Sequence, residues 1–207
     1  MSDIHSLYTI GHSSLELDRF LAILNKCGVG MLVDVRSQPR SARFPHFSQE
    51  ALEPAVCEAG IAYLALGEEL GGRPGDAKLY RADGLVDYAA RRKCHDFQGG
   101  VERVLSALET VSPALMCAEE DPLACHRFLL IGPALMEQGV ELLHIRKGGV
   151  VETQREAEDR LLKAHAFSDV TSGLLFPDIR QGALEDAYRK QAEKYAFRAD
   201  PQLLGEF

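Results

Sequence analysis

Short apolar segments alternate with amphipathic segments along most of this chain, and this alternation limits the folds that it can adopt. Each apolar segment has the length of a β-strand, and the segments that follow carry apolar residues at helical spacing. The predicted strands are Leu7–Ile10, Met31–Val35, Ile61–Leu66, Pro113–Cys117 and Glu141–Ile145. This order of strands and helices predicts a mainly parallel sheet with helices on both faces, a three-layer, Rossmann-like α/β fold.

Helix start signals precede two of the intervening segments. Ser13 and Glu16 have the spacing of a capping box, so we expect Ser13 to cap a helix that ends near Lys26. Asp121 and Pro122 have the residue types preferred at the N-cap and at the first helical position, and they predict one helix that begins there. The other predicted helices span residues 48–58, 97–109, 153–164 and 183–197.

The length of the chain suits one domain with an extension. A chain of 207 residues with 46% hydrophobic residues can bury one sizeable core. We expect an α/β domain over residues 1–165 and a C-terminal extension over residues 166–207. The extension carries one helix with a thin apolar stripe, which would pack on its own domain or form a homodimer.

Charge and cysteine content restrict the function further. A net charge of −8 argues against a general nucleic-acid coat, although a local basic patch is compatible with it. The sequence contains no signal peptide and no apolar run of membrane-spanning length, so we expect a soluble cytoplasmic protein without a membrane partner. The odd number of five cysteines favours reduced thiols, and we expect Cys27, Cys57 and Cys94 to be structural.

The segment 116–130 concentrates reactive side chains at one strand-to-helix junction: Cys117, Glu119, Cys125, His126 and Arg127. Ligands of parallel α/β sheets bind at this edge. Thiolate and imidazole groups suit a zinc or iron ion, although the gap between the two cysteines is wider than in common zinc motifs. The same thiols could instead be nucleophiles, which a helix amino end helps to ionise, or small buried hydrophobic groups.

A basic loop follows the second strand and contains Arg36, Arg40 and Arg43. Guanidinium groups bind phosphate or carboxylate through two hydrogen bonds, and the neighbouring Phe44, His46 and Phe47 are candidates for stacking on a base. An equally supported alternative is that Arg36 pairs with Glu119 or Asp34 and fixes the loop, and that Phe44 and Phe47 belong to the core.

Two further positions fall near the same edge. His12 follows the first strand and is a candidate general base, with Asp34 beside it at the end of the second strand. Gly71, Gly72 and Arg73 form a predicted turn that brings backbone close to the pocket, where Arg73 is an extra anion contact. The long connection over residues 67–95 is expected to cover a site.

Four ordered motifs resemble the family known as domain of unknown function 488. They are Thr9–Ser13, Val33–Ser41, Leu66–Gly72 and Cys117–Arg127. The resemblance implies one compact α/β domain whose motif residues gather in a single pocket, and it implies no general activity. Many relatives have an Asp-Gly pair and then a His after the strand near His144, where this chain has Lys147-Gly148-Gly149 and then Thr153-Gln154.

The leading hypothesis is an enzyme or binding protein for a small anionic ligand that carries phosphate, such as a nucleotide, or for a nucleic-acid end. The predicted catalytic residues are His12, Cys117, Glu119, Cys125 and His126. The predicted ligand-binding residues are Asp34, Arg36, Arg40, Arg43, Arg73 and Arg127. The alternatives are a metal or redox sensor built on Cys117, Cys125 and His126, with zinc or iron, and a scaffold without catalysis.

Overall fold

A single six-stranded sheet organises the protein, in a computed structural model that describes residues 6–167 and 177–200. The strands are β1 (Ser6–Gly11), β2 (Met31–Asp34), β3 (Ala62–Ala65), β4 (Pro113–Cys117), β5 (Glu141–Ile145) and β6 (Val151–Thr153). Their spatial order is β3-β2-β4-β1-β5-β6, and only β6 runs antiparallel to its neighbour. All five predicted strands are present, and the short edge strand β6 was not predicted.

Helices cover both faces of the sheet, as the alternation predicted. The helices are α1 (Leu17–Lys26), α2 (Gln49–Glu58), α3 (Gly67–Leu70), α4 (Tyr88–Arg92), α5 (His95–Leu108), α6 (Gly132–Glu137), α7 (Gln154–Ala164) and α8 (Pro177–Tyr195). Side chains from α1 and α2 pack on one face around Leu32, and side chains from α5 to α8 pack on the other face around Leu115. In the described part of the chain, no helix has the length and apolarity that a membrane span requires.

The predicted cap at Ser13 is wrong. Helix α1 begins at Leu17 with Glu16 at its N-cap, and no side chain caps it. Ser13 has a positive φ of 48°, and its amide donates to the carbonyl of Ala118. The backbone at this position is therefore fixed by the loop after β4 and is not available to start a helix.

The single helix predicted from Asp121 is also wrong, because two separate turns replace it. Asp121 caps a short 3₁₀ turn, Pro122–Ala124, through the amide of Leu123. Cys125 is then extended, with φ −134° and ψ 144°, before a π-helical turn, Arg127–Ile131, leads into α6. Single π turns inside helical segments are frequent at functional sites.

The C-terminal extension packs on its own domain. Helix α8 begins earlier than predicted, at Pro177, and its buried Leu184 and Ala187 join the core. The ring of Tyr188 stacks on Phe128 at 5.0 Å, and Gln191 Nε2 donates to the Leu123 carbonyl. Residues 168–176 of the extension lie outside the described residues, and the homodimer through this helix remains a prediction.

Candidate functional site

Three neighbouring strands bring most of the predicted residues to one edge of the sheet. The carboxyl ends of β1, β2 and β4 are adjacent, with Gly11 opposite Cys117 and Asp34 opposite Met116. Two cavities open at this edge. The thiol cavity, of about 340 Å³, is lined by Cys117, Cys125 and His126 among others, and the basic cavity, of about 490 Å³, is lined by His12, Arg43 and Phe44 among others. The two cavities share Arg36, Gln38, Arg40 and Ala118.

His126 is directed at both buried thiols. Its Nδ1 lies 3.6 Å from Cys117 Sγ and 3.8 Å from Cys125 Sγ. Its Nε2 is 2.9 Å from the carbonyl oxygen of Val35, which can only accept a hydrogen bond. When the ring is neutral, it therefore carries its proton on Nε2, and the lone pair of Nδ1 then points toward the two sulfurs.

Two glycines make this arrangement sterically accessible. A Cβ atom at position 72 would lie 2.9 Å from Cγ of His126, so the imidazole packs directly on the backbone of Gly72. A Cβ atom at position 11 would lie only 1.6 Å from the Glu119 carbonyl oxygen. Because Gly11 and Gly72 have no side chain, the chain segments around the thiols can approach each other closely at these positions.

The groups around the two thiols shift the pKa values of Cys117 and Cys125 in opposite directions. Burial opposes ionisation of Cys125, but the contact with Cys117 and the charges of Arg127 and His126 lower its pKa well below the usual value. The contact with Cys125, together with burial, raises the pKa of Cys117 well above its usual value. Burial opposes protonation of His126, but the charge of Cys125, the contact with Cys125 and the charge of Glu119 together raise the pKa of His126.

Glu119 is the carboxylate closest to the thiols. Cys117 Sγ donates to Glu119 Oε2 at 3.0 Å. Burial of the carboxylate and the negative charge of Cys125 raise the pKa of Glu119. Glu119 therefore lines the thiol cavity and binds a proton more readily than a solvent-exposed carboxylate.

Arg127 lies behind the site. It is fully buried, and its Nη1 and Nη2 atoms donate to the carbonyls of Glu119 and Glu120 at 2.6 and 2.8 Å. Its Nε donates to Thr9 Oγ1 at 3.3 Å. Arg127 lines neither cavity, so its guanidinium group holds the loop after β4 in place.

Arg36 is largely occupied by partners within the protein. Its guanidinium donates to the buried Asp34 carboxylate, with contacts down to 2.5 Å, and to the Phe47 carbonyl at 2.7 Å. Tyr63 donates to the same carboxylate at 2.7 Å. Of the two partners considered for Arg36 from the sequence, the structure selects Asp34 over Glu119.

His12 is a neutral, buried ring. Burial and the neighbouring charge of Arg36 lower the pKa of His12 from 6.5 to about 4. Its Nδ1 donates to the Ser13 carbonyl at 3.0 Å, which leaves Nε2 facing Arg36 Nη1 at 3.4 Å. The lone pair that a general base would use is therefore directed at a guanidinium group.

The remaining arginines of the edge differ in their partners. Arg40 is exposed and pairs with Glu50 at 3.1 Å. The guanidinium of Arg43 lies 5.3 Å from the Phe44 ring centroid, and that of Arg73 lies 4.6 Å from the Phe197 ring centroid. Within residues 6–167 and 177–200, neither Arg43 nor Arg73 has a carboxylate partner.

The aromatic residues predicted to stack on a base are mostly engaged elsewhere. Phe47 is fully buried and stacks on His12 at 4.2 Å. His46 Nε2 lies 3.0 Å from the Leu15 carbonyl. Phe44 alone of the three lines the basic cavity.

One family model, described as Domain of unknown function DUF488, matches residues 16–132. The chain belongs to this family. The DUF488 match includes the Arg36 loop, the Leu66–Gly72 motif and the Cys117–Arg127 motif, and it begins after the Thr9–Ser13 motif. Comparisons with curated proteins and with solved structures found no match. The description of the DUF488 family names no activity.

Two further buried residues of this DUF488 protein, His144 and Gln154, lie behind the sheet edge. Gln154 Oε1 accepts from His144 Nε2 at 2.9 Å, and His144 Nδ1 lies 2.8 Å from Thr9 Oγ1. These residues are buried and line neither cavity. They connect α7 to Arg127 through Thr9 and so support the motif from behind.

Three aromatic residues of the thiol cavity were missed from the sequence: Tyr88, Tyr195 and Phe197. Tyr88 belongs to the long connection that was expected to cover a site, and Asp87 before it is a helix cap that the sequence does display. Phe197 reaches the cavity because its carbonyl accepts from the Val86 amide at 3.0 Å. That pairing joins distant parts of the chain and leaves no local sequence signal.

Proposed function

We propose that Cys117, Cys125 and His126 bind one transition-metal ion, zinc or iron(II), and that the ion and the adjoining cavities bind a small anionic ligand. The observation that carries this proposal is the position of His126 Nδ1, at 3.6 and 3.8 Å from the two sulfurs. The three ligand atoms all lie within 4.8 Å of one another. Soft thiolate ligands and imidazole are the donors that these metals use in proteins.

The distances match tetrahedral coordination. With zinc–sulfur bonds of about 2.3 Å and zinc–nitrogen bonds of about 2.0 Å, tetrahedral angles separate sulfur and nitrogen by about 3.5 Å. The observed separations of 3.6 and 3.8 Å are within a few tenths of an ångström of that value. These two sulfur-to-nitrogen distances therefore suit an ion that Nδ1 and the two sulfurs bind together.

The orientation of His126 supports the same proposal. Histidines that bind metals commonly donate their second ring N–H to a carbonyl or carboxylate, which fixes the tautomer. Here the Val35 carbonyl accepts from Nε2 at 2.9 Å, and Nδ1 is left for the metal.

Three protein ligands leave a fourth coordination position. A set of two cysteines and one histidine occurs in catalytic zinc sites, in which water or substrate takes that position. Glu119 Oε2, at 3.0 Å from Cys117 Sγ, is placed to complete the coordination or to accept a hydrogen bond from a bound water. Arg43 of the basic cavity and Arg73 of the thiol cavity, which have no carboxylate partner among the described residues, favour an anion as the ligand.

Metal analysis of the purified protein tests the proposal. We expect close to one zinc or iron ion per chain in the wild type and in Cys57→Ser, which changes an exposed cysteine outside the site. Cys125→Ser should lose the ion. Circular dichroism of the same samples shows whether the variant still folds.

Cobalt titration of the metal-free wild type provides a second measurement that needs no variant. Binding by two thiolates should produce a sulfur-to-cobalt charge-transfer band in the near ultraviolet. The proposal is rejected if the wild type retains no stoichiometric metal and shows no such band. The scaffold alternative predicts that negative result.

A further inference from the structure

We infer that the anionic ligand is a nucleoside monophosphate, whose base stacks in the thiol cavity and whose phosphate binds Arg73. This inference deepens the anion-binding part of the proposed function and rests on it. Two features carry it: the free donors of the Arg73 guanidinium group, and an aromatic lining in the same cavity.

The free guanidinium groups are specific ones. Arg36 is tied to Asp34, Arg40 to Glu50 and Arg127 to backbone carbonyls. Arg43 and Arg73 instead lie over the rings of Phe44 and Phe197. A guanidinium that stacks on a ring keeps its N–H donors directed outward in its plane, where they suit a phosphate.

The aromatic lining favours a ligand with a planar base over an inorganic anion alone. Tyr88, Tyr195 and Phe197 line the thiol cavity together with Arg73. Stacking of one base on an aromatic side chain contributes about 1–3 kcal/mol, and it tolerates different bases. The Tyr88 hydroxyl has no hydrogen-bond partner among the described residues, so it is available to the edge of a base.

The size of the site suits a ligand with a planar and a charged part. The thiol cavity of about 340 Å³ falls in the range of small-molecule sites, and the basic cavity of about 490 Å³ adjoins it. Arg40 and Gln38 line both, so one ligand can extend from one cavity to the other.

The charge of the protein favours a mononucleotide over a nucleic-acid strand. A strand requires neutralisation of many successive phosphates by clustered basic residues. This chain has a net charge of −8, and only the few arginines of one loop and one turn surround the cavities. One or two phosphates match that number of donors.

Calorimetric titration of the zinc-loaded protein tests the inference. The probes are the four ribonucleoside 5′-monophosphates, the matching nucleosides, and ribose 5-phosphate. We expect at least one monophosphate to bind about tenfold more tightly than both its nucleoside and ribose 5-phosphate.

Two variants separate the two halves of the site. Arg73→Gln should weaken the monophosphate and ribose 5-phosphate but leave the nucleoside unchanged. Tyr195→Leu should weaken the monophosphate and the nucleoside but leave ribose 5-phosphate unchanged. Arg155→Gln removes the same charge from an exposed position of α7 outside both cavities and should change none of these affinities.

The possible failures are distinguishable. If zinc binds but no monophosphate binds more tightly than ribose 5-phosphate, the inference is overturned and the proposed metal site stands. A short 5′-phosphorylated single strand that binds more tightly than every monophosphate also overturns it. Failure to bind zinc, measured on the same samples, contradicts the proposed function itself.

Discussion

Protonation of His144 should destabilise the folded protein, because its hydrogen bonds require a neutral ring. His144 is fully buried, and its Nε2 donates to Gln154 Oε1 at 2.9 Å. Its Nδ1 therefore accepts from the Thr9 hydroxyl at 2.8 Å, while that hydroxyl oxygen accepts from Arg127 Nε. A second ring proton would face the Thr9 hydroxyl in a region that already contains the buried Arg127 charge.

The pKa shift gives the size and the sign of the effect. Burial, followed by the charges of Arg127 and Arg146, lowers the pKa of His144 from 6.5 to about 4, although Gln154 and Glu152 oppose the shift. Because the folded-state pKa is depressed, the stabilisation is complete above about pH 6.5 and is lost as the pH falls toward 4. Between about pH 7.5 and about pH 5, the linkage relation gives a loss of about 2 kcal/mol from this residue alone.

Urea denaturation at these two pH values measures the effect. His144→Gln keeps a donor and an acceptor at the site but does not titrate, so the variant should lose about 2 kcal/mol less than the wild type over the same interval. This difference cancels the contributions of the other titrating groups, including His12. Equal losses of stability in the two proteins would refute the argument.

Two further predictions concern the backbone, and urea denaturation checks both. Thr153 forms a complete capping box at α7, whereas Glu16 makes no side-chain cap at α1. Thr153→Ala should therefore lower the free energy of unfolding by about 1 kcal/mol, and Glu16→Ala should lower it by less than about 0.5 kcal/mol. Equal losses would contradict the role of the cap. Gly11→Ala places a Cβ atom 1.6 Å from a backbone oxygen and should cost about 3 kcal/mol or more. Gly30→Ala, whose nearest contact is an ordinary 3.5 Å, is the matched control and should cost clearly less.

The sheet could be predicted from the sequence because its signals are local. Strand-length apolar runs separated by helical patterns require a parallel sheet, and parallel strands place their carboxyl ends at one edge. The helix caps show the limit of such signals. Ser13 and Thr153 have the same spacing to a glutamate, but only Thr153 forms the box, because long-range backbone bonds hold Ser13.

The site could be predicted only in part, for a similar reason. The sequence located the two thiols, His126 and the basic loop. It did not determine which arginines are free, because this depends on partners such as Asp34 and Glu50 that only the folded structure selects. Phe47 became core and Phe197 became cavity lining through tertiary packing, and neither outcome has a local pattern.

The hydrogen bond between the Val86 amide and the Phe197 carbonyl has a consequence for relatives of this protein. The proposed metal ligands lie within the matched residues 16–132, whereas Tyr195 and Phe197 lie beyond them. Two family members can therefore share the same ion-binding groups and differ in the wall that contacts the ligand. Changes in the last helix and in the residues after it would alter this wall of the cavity and leave the residues matched by the family model unchanged.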